Sequence, residues 1–182
     1  MTISAASACG SRNLMPETFE SLLVKLARSG VDYLVVGGVA VCLNGFVRTT
    51  QDLDILVDHS PENLERLLAC LAGFGEGFAR ELSPADFPLE EGAVRVNEDF
   101  TLDLFTLMRS RTFADFVGTA RSTEVGGVSI RYLAPQALID LKAPSIREKD
   151  QLDVATLRRI IAGETAPGVV DLDRLTPEPP PM

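Results

Sequence analysis

The chain has 182 residues, 46% apolar and 24% charged, with a formal net charge of −9. That length supports one domain with a full hydrophobic core. The negative charge repels a phosphate backbone, so a broad, non-specific grip on duplex DNA is not expected, although a local basic pocket is not excluded. No apolar run approaches the ~18 residues of a membrane-spanning helix, and no membrane association is expected. The start, "MTISAASACGSRN", lacks the basic and apolar regions of a signal peptide. The cysteines, Cys9, Cys42 and Cys70, are odd in number and widely spaced. They read as free thiols of a reducing cytoplasm, and neither as a disulfide framework nor as a zinc site. His59 is the only histidine, so no multi-histidine metal site can form within one chain.

Residues 1–15 are small and polar and are expected to be disordered. "PETFESLLVKLARSG" reads as an amphipathic helix, with Pro16 in its first turn and Gly30 closing it. "DYLVVG" is a short buried strand. "GGVAVCLNGF" predicts a helix that starts at or just after Gly38. "LDILVD" is a second strand. "SPENLERLLACLAGFG" is a helix with Ser60 as its N-cap and Pro61 at the first helical position. Residues 75–92 carry no regular pattern, and the alternate glycines of "AGFGEGFAR" read as a helix end and loop. "AVRV" and "FTLDLFTLM" are strands, and "TFADFVGTA" is a short helix. "STEVGGVSIRYL" predicts a hairpin turning at Gly126-Gly127. "APQALIDLK" and "REKDQLDVATLRRIIAG" are helical, separated at Pro144.

The tail "TPEPPPM" is expected to be extended. The domain plan is therefore a body over 16–163, whose part over 135–163 is helical, and a Pro-rich tail over 164–182. Strands and helices mix without strict alternation, which places the chain in the α+β (mixed α/β) class.

Side chains alternate along a strand, so Asp52 and Asp54 in "QDLDILV" share a face, roughly 6–7 Å apart. Leu53, Ile55 and Val57 face the core. Asp103, in "FTLDLFTLM", is another acid inside an apolar strand, and it would join the pair if the two strands are neighbours. Converging carboxylates repel one another unless a cation lies among them, and Mg2+ is the hard ion that oxygen ligands select. Gly37-Gly38 follows a strand and opens a helix, a place where backbone N–H groups approach an anion closely. Asp-x-Asp or Gly-Gly alone is common. The ordered set of apolar strand, Gly-Gly, helix, thirteen residues (39–51) and Asp-Leu-Asp-Ile is much more specific.

The stretch "GGVAVCLNGFVRTTQDLDI" resembles the signature of the DNA polymerase β-like nucleotidyltransferase superfamily. It is closer to small bacterial nucleotidyltransferase-like proteins, relatives of toxin–antitoxin and abortive-infection nucleotidyltransferases, where it often reads "GGxAvxxhGxxRxTxDlDl". The match runs through Arg48, Thr50, Asp52 and Asp54. "LIDLKAPSIREKDQLDVATL" is similar to the "LIxLKxxxxRxKDxxDhxxL" helices of those proteins, through Lys142, Arg147, Lys149, Asp150 and Asp153. The resemblance covers roughly residues 18–162. It departs at Asn44, where histidine is frequent, at Ile146, where glycine is frequent, and at Gly38, where many enzymes of the superfamily carry serine.

The resemblance implies a mixed sheet flanked by helices, the nucleotidyltransferase fold. It implies Mg2+-dependent attack of a hydroxyl on the α-phosphate of an NTP, with release of pyrophosphate. Asp52, Asp54 and Asp103 would be the catalytic and metal-binding acids, holding two Mg2+ ions, and Gly37 and Gly38 would seat the phosphates. Arg48 either contacts phosphate or pairs with a nearby acid. Lys142 either reaches a phosphate or packs its stem while its charge stays wet. The spacings Lys149–Asp153 and Arg147–Asp150 permit structural ion pairs. His59 reads as a surface residue, Cys42 and Cys70 as core fillers, and Phe74, Phe78, Phe87 and Phe100 as core closure. The acceptor is open among a small molecule, a tRNA end and a protein side chain. A second reading keeps the fold without catalysis, as a nucleotide-binding or regulatory module for a protein partner of the toxin–antitoxin type.

Overall fold

The structure is a computed structural model that describes residues 18–75, 77–164 and 172–177. Thr18 and Ser21 form a reciprocal cap that starts helix α1 (Phe19–Arg28), satisfying N–H groups that a helix start leaves unpaired. Its face Phe19, Leu22, Leu23 and Leu26 is fully buried, which stabilises the fold by about 1.5–3 kcal/mol per side chain. Strand β1 (Tyr33–Val35) leads through Val36 into α2 (Gly37–Leu43), so the helix includes both glycines. Strand β2 (Asp52–Val57) and helix α3 (Pro61–Leu71) follow. Ser60 stands at the expected N-cap, but its hydroxyl donates to Asp58 and makes no cap bond.

After two short 3-10 turns come β3 (Ala93–Asn97), β4 (Thr101–Phe105) and α4 (Phe113–Val117). The expected hairpin is β5 (Arg121–Val125) and β6 (Val128–Tyr132). Its Gly126 and Gly127 both have positive φ, 54° and 76°, as a two-residue turn between twisted strands demands. Helices α5 (Pro135–Lys142) and α6 (Glu148–Ile161) complete the body.

The strands form one mixed sheet in the order β3-β4-β2-β1-β6-β5, with β2/β4 and β1/β6 parallel and the other neighbours antiparallel. Helix α1 packs on β6 and α3, α2 packs on β2 and α5, and α5 packs on α6. Buried Asn44 ends α2 and ties it to the hairpin. Its amide donates to the carbonyls of Ala40 and Leu133, and its side-chain oxygen accepts from Arg121. Cys42 and Cys70 are buried and in no disulfide among the described residues. His59 is held through Nε2 on the Phe87 carbonyl. Phe74, Phe87 and Phe100 are in the core, but Phe78 is exposed, contrary to expectation.

The extended tail expected from residue 164 is corrected over 172–177. That stretch carries a 3-10 turn (Asp173–Leu175), buries Leu172 and Leu175, and accepts the Phe19 N–H on Thr176 Oγ. The expected disorder of residues 1–15 and the rest of the Pro-rich tail lie outside the described residues, as do Cys9 and Pro16. Among the described residues no helix is long and apolar enough to cross a membrane.

Candidate active site

Parallel pairing of β2 with β4 puts Asp54 directly opposite Asp103, and antiparallel pairing of β3 with β4 puts Arg95 opposite Asp103. Side-chain alternation then carries Asp52, Asp54, Asp103 and Arg95 onto one face of the sheet. This face forms one wall of a cleft of about 940 Å3, whose other wall is the α5–α6 segment. Gly37, Gly38, Arg48 and Lys142 also line it, so the candidate acids, the glycine turn and the two candidate phosphate contacts border one cavity.

The Gly-Gly turn is shaped around the acids. Gly37 has φ +56°, and a Cβ there would lie 1.9 Å from Asp54 Oδ2. A Cβ at Gly38 would lie 2.6 Å from Thr50 Oγ1. The volume a side chain needs at either position is already filled, which is the physical reason for both glycines. The Gly38 N–H favours the charged form of the Asp54 carboxylate, and the Val36 N–H donates to the Asp54 carbonyl. The turn therefore seats Asp54 from two sides.

Neither Asp52 nor Asp54 forms an ion pair among the described residues. Burial, with Asp103 and Asp52 nearby, pushes the Asp54 carboxyl up from 3.8 to about 6 despite the Gly38 N–H and Lys142. Such a group lacks positive charge. Asp103 differs: Arg95 grips both of its oxygens, at 2.8 and 2.7 Å. Among the described residues no group of three or more His, Cys, Asp or Glu side chains is arranged to hold a metal ion. The expected three-acid metal set is thus not assembled here, because a guanidinium already occupies the third acid. The unpaired donors Asp52 and Asp54 still suit one hard divalent cation, with water and phosphate oxygens filling its other positions.

A second cluster lies across the cleft. Arg48 donates from Nε and Nη2 to Asp153 at 2.7 and 2.9 Å, and from Nη1 to the Thr49 carbonyl. Lys142 pairs with Asp150 at 2.7 Å and with Asp153 at 3.0 Å. Arg147 and Ser145 complete the shell of Asp150. Arg48 is therefore the partner of an acid, and the charge of Lys142 is buried between two carboxylates. Phosphate contact is not needed to account for either. The Arg147–Asp150 pair forms as expected, whereas Asp153 takes Arg48 and Lys142 in place of Lys149. Burial opposes ionisation of Asp150, but Lys142, Ser145 and Arg147 outweigh it and hold the carboxyl down at about 2.

Sequence reasoning missed Arg95 and Arg109. Alternation in "AVRVN" opposite "TLDLF" would have flagged Arg95 once the register was known. Arg109 had no signal: it and Ser110 adopt positive φ, 50° and 59°, in a tight turn after β4. That conformation is strained for residues with a Cβ. Arg109 Nε donates to the Leu141 carbonyl, bridging the turn to α5. Six basic residues of the cleft (Arg48, Arg95, Arg109, Lys142, Arg147, Lys149) outnumber four acids (Asp52, Asp54, Asp103, Asp150), so an acidic protein carries a locally positive cleft.

This architecture is similar to that of solved nucleotidyltransferases. The lincosamide antibiotic adenylyltransferase LnuA, in its lincomycin-bound crystal structure, superposes with a TM-score of 0.55 at 17% identity, over 76% of this chain and 93% of LnuA. The antibiotic-resistance factor ANT(2'')-Ia gives 0.49 at 13% identity, over 79% of this chain and 80% of its own. An antigenic nucleotidyltransferase-like protein from Paracoccidioides brasiliensis gives 0.45 at 15% identity, over 81% and 78%. No curated protein matches the chain by sequence. The family described as "Nucleotidyl transferase of unknown function (DUF2204)" matches residues 16–175, nearly the whole chain, and the protein belongs to that nucleotidyl transferase family.

Proposed function

We propose that the protein transfers a nucleoside monophosphate from a Mg2+-bound NTP to a hydroxyl of a small molecule. The observation that carries this reading is the Asp52–Asp54 pair, half-buried on one face of β2, free of ion pairs among the described residues and raised in proton affinity at Asp54. Asp52 and Asp54 would hold the metal. When bound, Mg2+ supplies positive charge to the triphosphate and favours its displacement. Arg109 and Lys149 make no ion pair among the described residues and border the cleft. They offer positive charge to phosphate oxygens. The acceptor oxygen forms a bond to the α-phosphorus, and the bond from that phosphorus to the β-bridging oxygen breaks. Pyrophosphate leaves with its electron pair, and the acceptor proton passes to the Asp103 carboxylate.

The acceptor class rests on the cleft. Phe105, Met108, Leu138 and Leu141 provide apolar lining beside the acids, and about 940 Å3 is a volume suited to a small-molecule ligand. Lincomycin in LnuA is such a small molecule.

Calorimetric titration of Mg2+ with a non-hydrolysable NTP into wild type and Asp54→Ala tests the reading. Metal-dependent binding that the variant loses is the expected result. A folded wild type that binds no NTP would overturn it, and would favour the non-catalytic partner module. Asp54→Asn is expected to slow transfer by on the order of 10³-fold, since metal charge stabilisation contributes several kcal/mol.

A further inference from the structure

We propose that Arg95 masks Asp103 in the nucleotide-free enzyme and moves to the incoming triphosphate, so that metal and nucleotide bind in concert. This inference rests on the function proposed above. Pairing across three adjacent strands sets Arg95, Asp103 and Asp54 in a row on the cleft face. Asp103 is nearly buried and both of its oxygens are taken by one guanidinium fork. A carboxylate held in this way has its charge neutralised and only the lone pairs outside the fork left, so it attracts a cation weakly.

The two partners differ in freedom. The Asp103 side chain is 5% exposed, whereas that of Arg95 is 58% exposed and stands on the edge strand β3. The arginine can therefore swing while the backbone stays in place. A guanidinium recognises phosphate with the same planar fork it uses for carboxylate, and it remains charged at any working pH. A triphosphate entering the cleft competes with Asp103 for Arg95. Once Arg95 transfers, Asp103 faces Asp54 without a counter-charge, and the acids call for a cation. Each ligand thus favours the other, and such coupling is reciprocal.

The test uses the full chain as wild type, Arg95→Met, Asp103→Asn and the double variant. Mn2+ alone and a non-hydrolysable ATP analogue without metal are titrated separately, with thermal unfolding as the check on folding. Arg95→Met is expected to bind Mn2+ about tenfold more tightly than wild type, and the analogue about tenfold more weakly. Asp103→Asn should erase the gain in Mn2+ affinity and spare the loss in analogue affinity. An arginine with a merely structural role would not move the two affinities in opposite directions. Unchanged or weaker Mn2+ binding in Arg95→Met overturns the proposal, as does a gain that persists in the double variant. If Arg95→Met does not fold, Arg95→Lys, which loses the fork, is read by the same criteria. Wild type that binds no NTP even with metal overturns the proposed function itself, a result distinct from failure of the mask alone.

Discussion

Two aspartate pairs lie in or behind the walls of one cleft, and their fates differ. Asp150 and Asp153 on α6 are the more deeply buried, at 1% and 0% exposure. They are surrounded by Arg48, Lys142, Arg147 and Ser145. Asp52 and Asp54 on β2 are only half-buried, yet Asp54 is the acid whose proton affinity rises. Burial alone therefore does not mark a functional carboxylate. What separates the pairs is the supply of positive charge: one pair is neutralised from within the fold, and the other awaits it from outside.

The largest expected effect breaks the neutralised pair. Asp153→Asn leaves Arg48 and Lys142 with one carboxylate between them, and should destabilise the protein by about 3–5 kcal/mol, measured by urea unfolding. Asp54→Asn, by contrast, should preserve or raise stability at neutral pH. A comparable loss in both variants would erase the distinction.

Titration gives Asp54 and Asp150 opposite signatures. The folded Asp54 carboxyl lies at about 6 against an ordinary 3.8, so the folded state binds its proton more tightly than the unfolded chain does. Its contribution is unfavourable at pH 7 by about 3 kcal/mol. Stability from this group rises as pH falls from 7 to 4. Asp150 is held down at about 2. Its contribution is present above pH 4 and is lost as pH falls toward 2, amounting to about 1–2 kcal/mol once solvent screening of exposed Arg147 is allowed for. Stability against pH for wild type, Asp54→Asn and Asp150→Asn checks both signs. Each variant should flatten only its own limb.

A smaller effect sharpens the packing around the free pair. Gly38→Ala drives a methyl against Thr50 and should cost about 1–3 kcal/mol. Thr50→Ala in the same chain should recover part of that loss, because the hydroxyl is the nearest obstacle. The smallest effect is at the rim. Arg147 is 68% exposed, so Arg147→Ala should cost less than about 1 kcal/mol, although the acid it meets is buried. A loss as large as that of Asp153→Asn would show that the exposed arginine is part of the buried network.

Much of this was legible because the signals are local. The strand–Gly-Gly–helix–strand order, the Gly126-Gly127 hairpin and the helical C-terminal segment all follow from periodicity and turn chemistry over a few residues. The α+β class follows from their mixture, and alternation alone set Asp52 and Asp54 on one face. The residues misjudged or missed belong to long-range contacts. Asp153 had Lys149 as a plausible partner four residues away, but the fold brought Arg48 from 105 positions upstream. The pairing of Arg95 with Asp103 required the β3–β4 register.

The amino-acid order by itself therefore determined which carboxylates share a strand face and that a glycine turn precedes them, since both follow from backbone geometry within one segment. Only the tertiary structure decided which acids are neutralised. Ion pairing depends on which cations the folded sheet and helices bring within a few ångströms, and spacing along the chain does not encode that distance.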